Sequence, residues 1–554
     1  MEPNTQTPKQ RTPSPRLLLM AVAAGLGGSF QYGLNLSLIN VPTKVVQGFI
    51  NSTWESRYGH PVSSSVLTLI WSIIASVFAV GGLAGAILAG PMAQRLGRKC
   101  GLLANNAFAI LASILMGVSD VSSSFELLII GRFLIGVNCG VGLSLQPMYL
   151  SECAPQHQRG ALAMSTSIFL TLGIFCGQIV GLREVLGGQR QQQQLWAVVL
   201  ALPVLPALTQ LLVLPFFPES PCYLLIDRGQ PQQARRVLAW LRGGDGDGSN
   251  GGGSCSDVAA GGGDGNSADI GQGTGSSPLE HQLDEELLAM RAEQEQMSGG
   301  GPRSVWDVMR DRGTRWQLVT VLLLNITQQL SGLNAIYFYS TYVFKEAKIS
   351  EEKIPYMTLG TGAAEILTAM SCGMLVDCLG RRPLLLCGYV LMSLCCAAIT
   401  VSLALQERSI WMPYLSVALI FAYILSFGIG PGGIMGILPA ELFMQDSRSA
   451  AFVISGSVNW FSFFLIGLLF PFLVEDMGPY CFVFFMVDCV IGTILVCILL
   501  PETKDRSFVE ISRLFHARNY GHAQPLSSSL APTTAIATCQ IESAPLTQND
   551  QLEE

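Results

Sequence analysis

Apolar residues along this chain come in runs of about twenty, broken by short polar stretches. Wound as a helix at about 1.5 Å per residue, such a run matches the ~30 Å hydrocarbon thickness of a bilayer. Backbone groups in lipid must be hydrogen-bonded within the chain, so these runs are read as helices. Twelve spans are expected. They begin near Leu17, Val66, Gly101, Phe125, Ala161 and Leu195, then near Gln317, Pro355, Pro383, Ile410, Ala450 and Tyr480. One long polar interruption splits them six and six.

The expected class is therefore an all-α membrane protein, with twelve transmembrane helices in two pseudo-symmetric six-helix bundles. The expected division is a tail over 1–16, a bundle over 17–217, a linker over 218–316, a second bundle over 317–500 and a tail over 501–554. Within the linker, Pro231 to Trp240 and Leu283 to Gln296 have the pattern of amphipathic helices on the cytosolic side. Gly243 to Ser277 is dominated by Gly, Ser, Asp and Asn. Such a stretch buries too little apolar surface to offset its ordering entropy, and it reads as a flexible insert. The tail beyond about Tyr520 reads the same way.

Composition sharpens the class. Of 554 residues only 13% are charged, against about 25% in soluble domains, and the mean hydropathy is +0.43. A soluble enzyme, a nucleic-acid binder and a disulfide-stapled secreted domain all fit poorly. Most of the 15 cysteines lie in apolar runs, where they serve as small packing residues. No metal-ligand spacing, catalytic histidine constellation or phosphate-binding loop is present, so no cofactor, metal, nucleotide or nucleic acid is expected. Met1 to Arg16 is polar and proline-rich, and no cleavage site follows the first apolar run, which reads as a retained helix.

Basic residues set the orientation. With both termini inside, that side holds 23 of the 32 Lys and Arg, the other side 8, and Arg132 falls within a span. This bias expects cytosolic termini. It also makes the loop around Asn51-Ser52-Thr53 external, where Asn51 is a glycosylation acceptor.

A repeat in two short cytosolic loops points to duplication. Gly90 to Lys99 and Gly373 to Arg382 both read Gly, three residues, a polar residue (Gln94, Asp377), two more, then Gly-Arg-basic. The pattern recurs at matching places in the two halves, as parallel repeats require. On the same face Glu152 and Arg159 follow the fourth span, and Glu441 and Arg448 the tenth, each pair seven residues apart. Together with Arg98, Asp377, Arg381 and Arg382, these charges are expected to form gating ion pairs between the halves. Exposed pairs contribute only about 0–1 kcal/mol each, so several are needed, and the lock stays reversible.

These motifs, with Pro218-Glu219-Ser220-Pro221 after the sixth span and Pro501-Glu502-Thr503-Lys504 after the twelfth, resemble the sugar-porter branch of the major facilitator superfamily. More narrowly, the chain resembles vertebrate-type facilitative hexose transporters over about residues 17 to 515. The resemblance implies the major facilitator fold, with alternating access to a sugar site near the midplane. It also implies a multi-pass plasma-membrane protein, with an endosomal pool left open.

A sugar offers hydroxyls that donate and accept, so its site needs neutral amides, hydroxyls and aromatic faces. The seventh span supplies Gln328, Gln329 and Asn334, with Gly332 between them. Gln329 and Asn334 are five apart and share a face only where the helix breaks, which Gly332 permits. The alternative role for these amides is structural, as glue between helices. The resemblance matches this stretch to the sugar-binding helix, and adds Gln178, Asn459 and Trp460. Proton-coupled relatives carry aspartate where Asn35 stands; an amide does not titrate, which favours uniport.

Departures from the resemblance bear on selectivity. Met435-Gly436 stands where glucose carriers have Pro-Trp, and Gly428 where they have glutamate. Loss of both side chains is expected to widen the pocket. Those changes and Ile336 resemble the fructose-type, class II branch. Ser167 and Phe463 stand where glucose carriers have further amides, and Cys222 replaces an arginine, which predicts a slightly weaker inward-side lock. Glu365 replaces an asparagine in the eighth span. An intramembrane carboxyl is costly and marks a functional candidate; it either accepts hydroxyls as an anion or donates one when protonated, or pairs with a neighbouring helix. Arg132 and Asp488 read as buried structural groups. The expected substrate is a hexose, fructose or glucose. A carrier for another polar solute such as urate, and a low-flux sugar sensor, are the competing readings.

Overall fold

The structure, a computed structural model, describes residues 15–155, 159–187, 189–242, 283–288, 290–291, 303–338, 344–345, 349–350, 352–406, 408–409, 411–504, 506 and 508–520. The Gly-rich stretch 243–277 and the tail beyond Tyr520 lie outside the described residues.

Every regular element among the described residues is helical. In chain order these are α1 (Pro15–Gly27), α2 (Ser29–Leu38), α3 (Thr43–Tyr58), α4 (Ser64–Leu96), α5 (Arg98–Val118), α6 (Phe125–Cys153), α7 (Arg159–Val180), α8 (Gln189–Ala201), α9 (Val204–Val213) and α10 (Pro231–Leu241). After the linker come α11 (Val305–Arg310), α12 (Arg315–Leu330), α13 (Leu333–Phe338), α14 (Ile354–Leu379), α15 (Arg381–Ala404), α16 (Met412–Ile429), α17 (Pro431–Ile434), α18 (Leu438–Leu442), α19 (Gln445–Met477), α20 (Cys481–Leu499) and α21 (Phe508–Tyr520).

Among the described residues nine stretches are long and apolar enough to cross a bilayer: Pro15–Leu38, Ser64–Leu96, Arg98–Val118, Phe125–Cys153, Leu195–Phe216, Arg381–Ala404, Met412–Ile434, Ala450–Met477 and Cys481–Leu499. The other three expected spans are helical but do not meet that measure. The fifth has a shorter apolar stretch, Ser165–Val180. The seventh is divided between α12 and α13, and the eighth, α14, carries Glu365 and Asp377.

In the first half α4 packs on α6, α2 on α7 and α5 on α6; in the second α15 packs on α16 and α20, and α12 on α19. Small residues allow the close approach: a Cβ on Gly81 or Gly136 would collide with backbone carbonyls of the facing helix, so α4 and α6 meet backbone to backbone. The halves meet along two helix pairs, α4 with α19 and α7 with α14. Thr68 at the start of α4 bonds Glu475 near the end of α19. The opposite ends of that antiparallel pair therefore bring Arg98 and Glu441 to one shared end of the molecule.

The linker packs as a small satellite. Leu225, Ala234, Leu238, Leu283, Leu287 and Met290 form its apolar cluster, with Cys222 packed against it. An arginine at 222 would set a charge against that cluster, so the cysteine suits the local packing. Arg242 ties the satellite to the bundle through Glu286 at 2.7 Å and the Cys153 carbonyl at 3.1 Å. Asn51 lies within helix α3 rather than in a loop, half-buried, with its Oδ1 accepting from the Val62 N–H at 3.2 Å.

Candidate functional site: a polar centre between two charged corners

At the shared end, each half builds the same charged corner. Gly97 (φ +91°) ends α4 and precedes α5; Gly380 (φ +91°) stands likewise between α14 and α15. Positive φ favours glycine, and close approach requires it: a Cβ would lie 2.7 Å from the Glu219 carboxylate at the first and 3.0 Å from Glu502 at the second. Glu219 accepts from the N–H groups of Arg98 and Lys99 at 3.0 and 2.9 Å and of Cys100 at 3.3 Å. Glu502 accepts from Arg381 and Arg382 N–H, both at 3.0 Å. Each carboxylate thus satisfies orphan donors at a helix N-terminus and complements its dipole.

The side chains repeat too. Arg98 donates to Glu152 Oε1 at 3.1 Å and Arg381 to Glu441 Oε1 at 2.8 Å. The second oxygen of Glu152 takes the Ser220 hydroxyl, and that of Glu441 takes Thr503 at 2.6 Å. Arg98 adds Asp227 at 2.6 Å and lies 5.2 Å from the centre of the Tyr223 ring. Arg382 donates to the Cys497 carbonyl at 2.7 Å. These pairs join residues of one half, not the two halves as expected, because each arginine is held over its own helix start by its own Pro-Glu segment. Arg448 lies on the first turn of α19; the side chains of Arg159 and Asp377 lie outside the described set. The sequence reading passed over Glu219, Glu502 and Asp227 as partners, although the Pro-Glu repeat was visible.

The centre is built differently. The seventh span breaks at Ser331-Gly332, where Gly332 has φ +96° and packs on Phe485. The break turns α13 so that Asn334 Nδ2 donates to Gln329 Oε1, while Gln329 Nε2 donates to Asn459 Oδ1 at 2.6 Å. Gln328 donates to the Pro431 carbonyl at 3.2 Å. Tyr423 donates to the Ser331 carbonyl, satisfying one group freed by the break. Gln328, Gln329, Asn334 and Asn459 therefore gather around one broken helix.

Across from them, Gln178 of α7 donates to Thr361 of α14 at 3.3 Å. Glu365 follows one turn later on α14, and the Tyr337 hydroxyl lies beside it. Gln178, Tyr337 and Glu365 are 5%, 4% and 9% exposed. Gln178 Oε1 has no hydrogen-bond partner among the described residues, and the Tyr337 hydroxyl and the Glu365 carboxyl face one another. Polar groups buried this deeply are costly unless they are paired.

Trp460 turns elsewhere. It is 6% exposed and its ring sits 5.7 Å from Tyr32, 6.1 Å from Phe78 and 6.0 Å from Phe463. Tyr32 and Phe78 belong to the first half, Trp460 and Phe463 to the second. The tryptophan is part of an aromatic contact between the halves and is next in sequence to Asn459. Arg132, 2% exposed, donates to the Asn35 and Ile74 carbonyls at 3.1 and 3.3 Å and lies 4.7 Å from the Phe78 ring centre. It is a structural group, as read. Asn35 itself donates to the Gln31 carbonyl at 2.8 Å.

The expected widening of the pocket splits in two. A Cβ on Gly436 meets nothing within 4 Å, so that position is open. A Cβ on Gly428 would collide with the Thr368 side chain of the facing helix α14, so that position is filled. Met435 and Ile336 are buried, at 3% and 2% exposure.

Known proteins share this sequence and architecture. The chain matches the family described as "Sugar (and other) transporter" over residues 20–250 and 266–515. It is 42% identical over 503 residues to the human solute carrier family 2, facilitated glucose transporter member 9, covering 91% of this chain and 86% of that protein. Identity to human member 11 is 43% over 504 residues, covering 91% and 94%; to human member 5 it is 39% over 519 residues, covering 94% and 96%. The xylose transporter of E. coli in a partially occluded inward-open conformation superimposes with a TM-score of 0.71 at 18% identity, covering 89% of this chain and all of that one. The fold is that of this transporter, and the chain belongs to the sugar transporter family, within the facilitated glucose transporters of solute carrier family 2.

Proposed function

We propose that the protein is a facilitative hexose uniporter that moves fructose, glucose or both by alternating access. The observation that carries this reading is the cluster of buried polar groups Gln178, Tyr337 and Glu365 in otherwise apolar spans. They lie between halves that also present the amides of Gln328, Gln329, Asn334 and Asn459. A neutral polyol satisfies both sets at once, as donor to the carboxyl and amide oxygens and acceptor from the amide and phenol donors. Relatives named as facilitated glucose transporters support the substrate class.

The cycle follows from the layout. Sugar bound to both halves stabilises arrangements in which they approach, and release on either side follows the one that opens. Asn35 removes a titratable group from its position, so the sugar gradient drives net flux. Ile336, Met435 and the open position at Gly436 shape the pocket and set which hexose is preferred. The charged corners of Arg98 with Glu152 and Arg381 with Glu441 stiffen each half as it rocks, and Arg159, Asp377, Arg382 and Arg448 are the remaining charges of the gate at that end. In this reading twelve spans cross the plasma membrane, both termini and the linker helices face the cytosol, and Asn51 faces outward as a glycan acceptor. An ionised Glu365 repels anions, which sets a urate carrier second.

The test is uptake of labelled fructose and glucose into liposomes holding the purified protein, with and without an imposed pH gradient. Saturable uptake independent of the gradient is the expected result. Gradient-dependent uptake would overturn uniport and point to Glu365. Absence of flux for both sugars would overturn the hexose reading.

A further inference from the structure

Hydrogen bonds among the described residues that cross between the halves include two that join helix ends away from the charged corners. Thr68 donates to Glu475 Oε1 at 2.9 Å. Tyr356 donates to Glu184 Oε1 at 2.5 Å. The first joins α4 to α19 and the second joins α14 to the turn after α7, so each bond seals one of the two helix pairs along which the halves meet.

The two bonds are related by the duplication. Thr68 and Tyr356 stand near the starts of α4 and α14, the helices that end at Gly97 and Gly380. Glu475 lies near the end of α19, and Glu184 just beyond α7. In one bond the second half supplies the carboxylate, and in the other the first half does. The arrangement is reciprocal, as a two-fold related clasp is.

Below the second bond, the same two segments meet again at Gln178 and Thr361. Tyr356 and Thr361 are five residues apart on α14, about 7.5 Å along a helix. A ligand hydroxyl that takes Gln178 from Thr361 therefore acts on the segment pair that also holds the lip.

We propose that Thr68–Glu475 and Tyr356–Glu184 are the paired clasp that holds this end of the transporter closed. The proposal rests on the alternating-access reading. Both bonds are exposed to water, which competes for each partner, so each is weak and the pair releases readily. At the other end, the pairs Arg98–Glu152 and Arg381–Glu441 each join residues of one half.

The experiment is hydrogen–deuterium exchange on the full-length protein in nanodiscs, comparing wild type with Thr68→Val/Tyr356→Phe. Both substitutions remove a hydroxyl and keep most of the volume. Exchange is expected to rise by about fivefold around residues 62–70 and 352–360. It is expected to fall around 93–100 and 376–384, because opening one end closes the other. A purely local role would loosen the first pair of segments and leave the second unmoved, and that result, or no change anywhere, overturns the proposal. Glu475→Gln keeps an acceptor for Thr68 and is expected to preserve the wild-type pattern, whereas Glu475→Ala shifts it; identical behaviour of the two would overturn the proposal. Liposome uptake by the same variants separates the two readings, since the clasp can fail while hexose flux remains.

Discussion

The charged corners and the polar centre of this transporter have the same ancestry of repeat and opposite histories of design. Around Gly97 and Gly380 the two halves place glycine, arginine and two glutamates in nearly the same geometry, down to a hydroxyl on the second oxygen of Glu152 and Glu441. At the centre the two halves contribute differently among the described residues: the second supplies a broken helix and its amides, while the first supplies Gln178. A corner has one mechanical task in each half, to cap a helix and hold its neighbours, and one solution serves twice. A sugar is asymmetric, so its site is free to draw on the two halves unequally.

The largest expected effect is at the centre. Gly332→Ala puts a Cβ 2.6 Å from Phe485 at a residue with φ +96°. Left-handed backbone costs an L-residue about 1–2 kcal/mol and overpacking about 1–3. Hexose uptake is expected to fall at least about tenfold while the protein still elutes as a monodisperse peak. Unchanged uptake would show that the break does not organise the amides.

The corners make a matched prediction. Glu219→Ala and Glu502→Ala each strand several helix N–H groups, at about 1–3 kcal/mol in total if water partly replaces the carboxylate. Their thermal midpoints are expected to fall by similar amounts, read by tryptophan fluorescence in detergent. A drop in one variant with none in the other would break the equivalence of the corners.

Acid sharpens the same comparison on one side. Burial raises the Glu502 carboxyl, but backbone N–H bonds from Lys504, Arg381, Arg382 and Thr503 outweigh it and hold the group below its usual range. The stabilisation is full above the ordinary carboxylate range and is lost as pH falls through the lowered value. The midpoint difference between wild type and Glu502→Gln is therefore expected to be largest near neutrality and to shrink toward pH 3. A difference that grows with acid would contradict the assignment.

The smallest effect separates two glycines of the centre. Gly436→Trp enters open space and is expected to leave stability within about 0.5 kcal/mol, while changing the ratio of fructose to glucose uptake. Gly428→Glu meets Thr368 and is expected to destabilise. Equal tolerance of both would show that the α14 and α16 contact yields easily.

Much of the site was legible because its residues violate the composition around them. Gln328, Gln329, Asn334 and Glu365 stand out in apolar spans, and a glycine between two amides that face one another predicts a broken helix. Tyr337 and Thr361 were not legible, because a tyrosine or threonine in such a span is ordinary until its neighbours are known. The packing of Trp460 was not legible either, because its ring meets Tyr32 and Phe78 of the other half, a contact no local pattern announces.

The sequence by itself determined the membrane class, the duplication and the family, since these rest on run length, spacing and motif, which are local quantities. It also marked the corners, whose residues lie in short contiguous segments. Only the tertiary structure decided which charges meet. Arg98 and Glu152 are 54 residues apart and Thr68 and Glu475 are 407, and nothing local says that the first pair closes within a half and the second across two. The same holds at Gly428, where the sequence removes a side chain and the approach of α14 fills the space. Packing is a property of facing helices, and the chain encodes it only through all of them together.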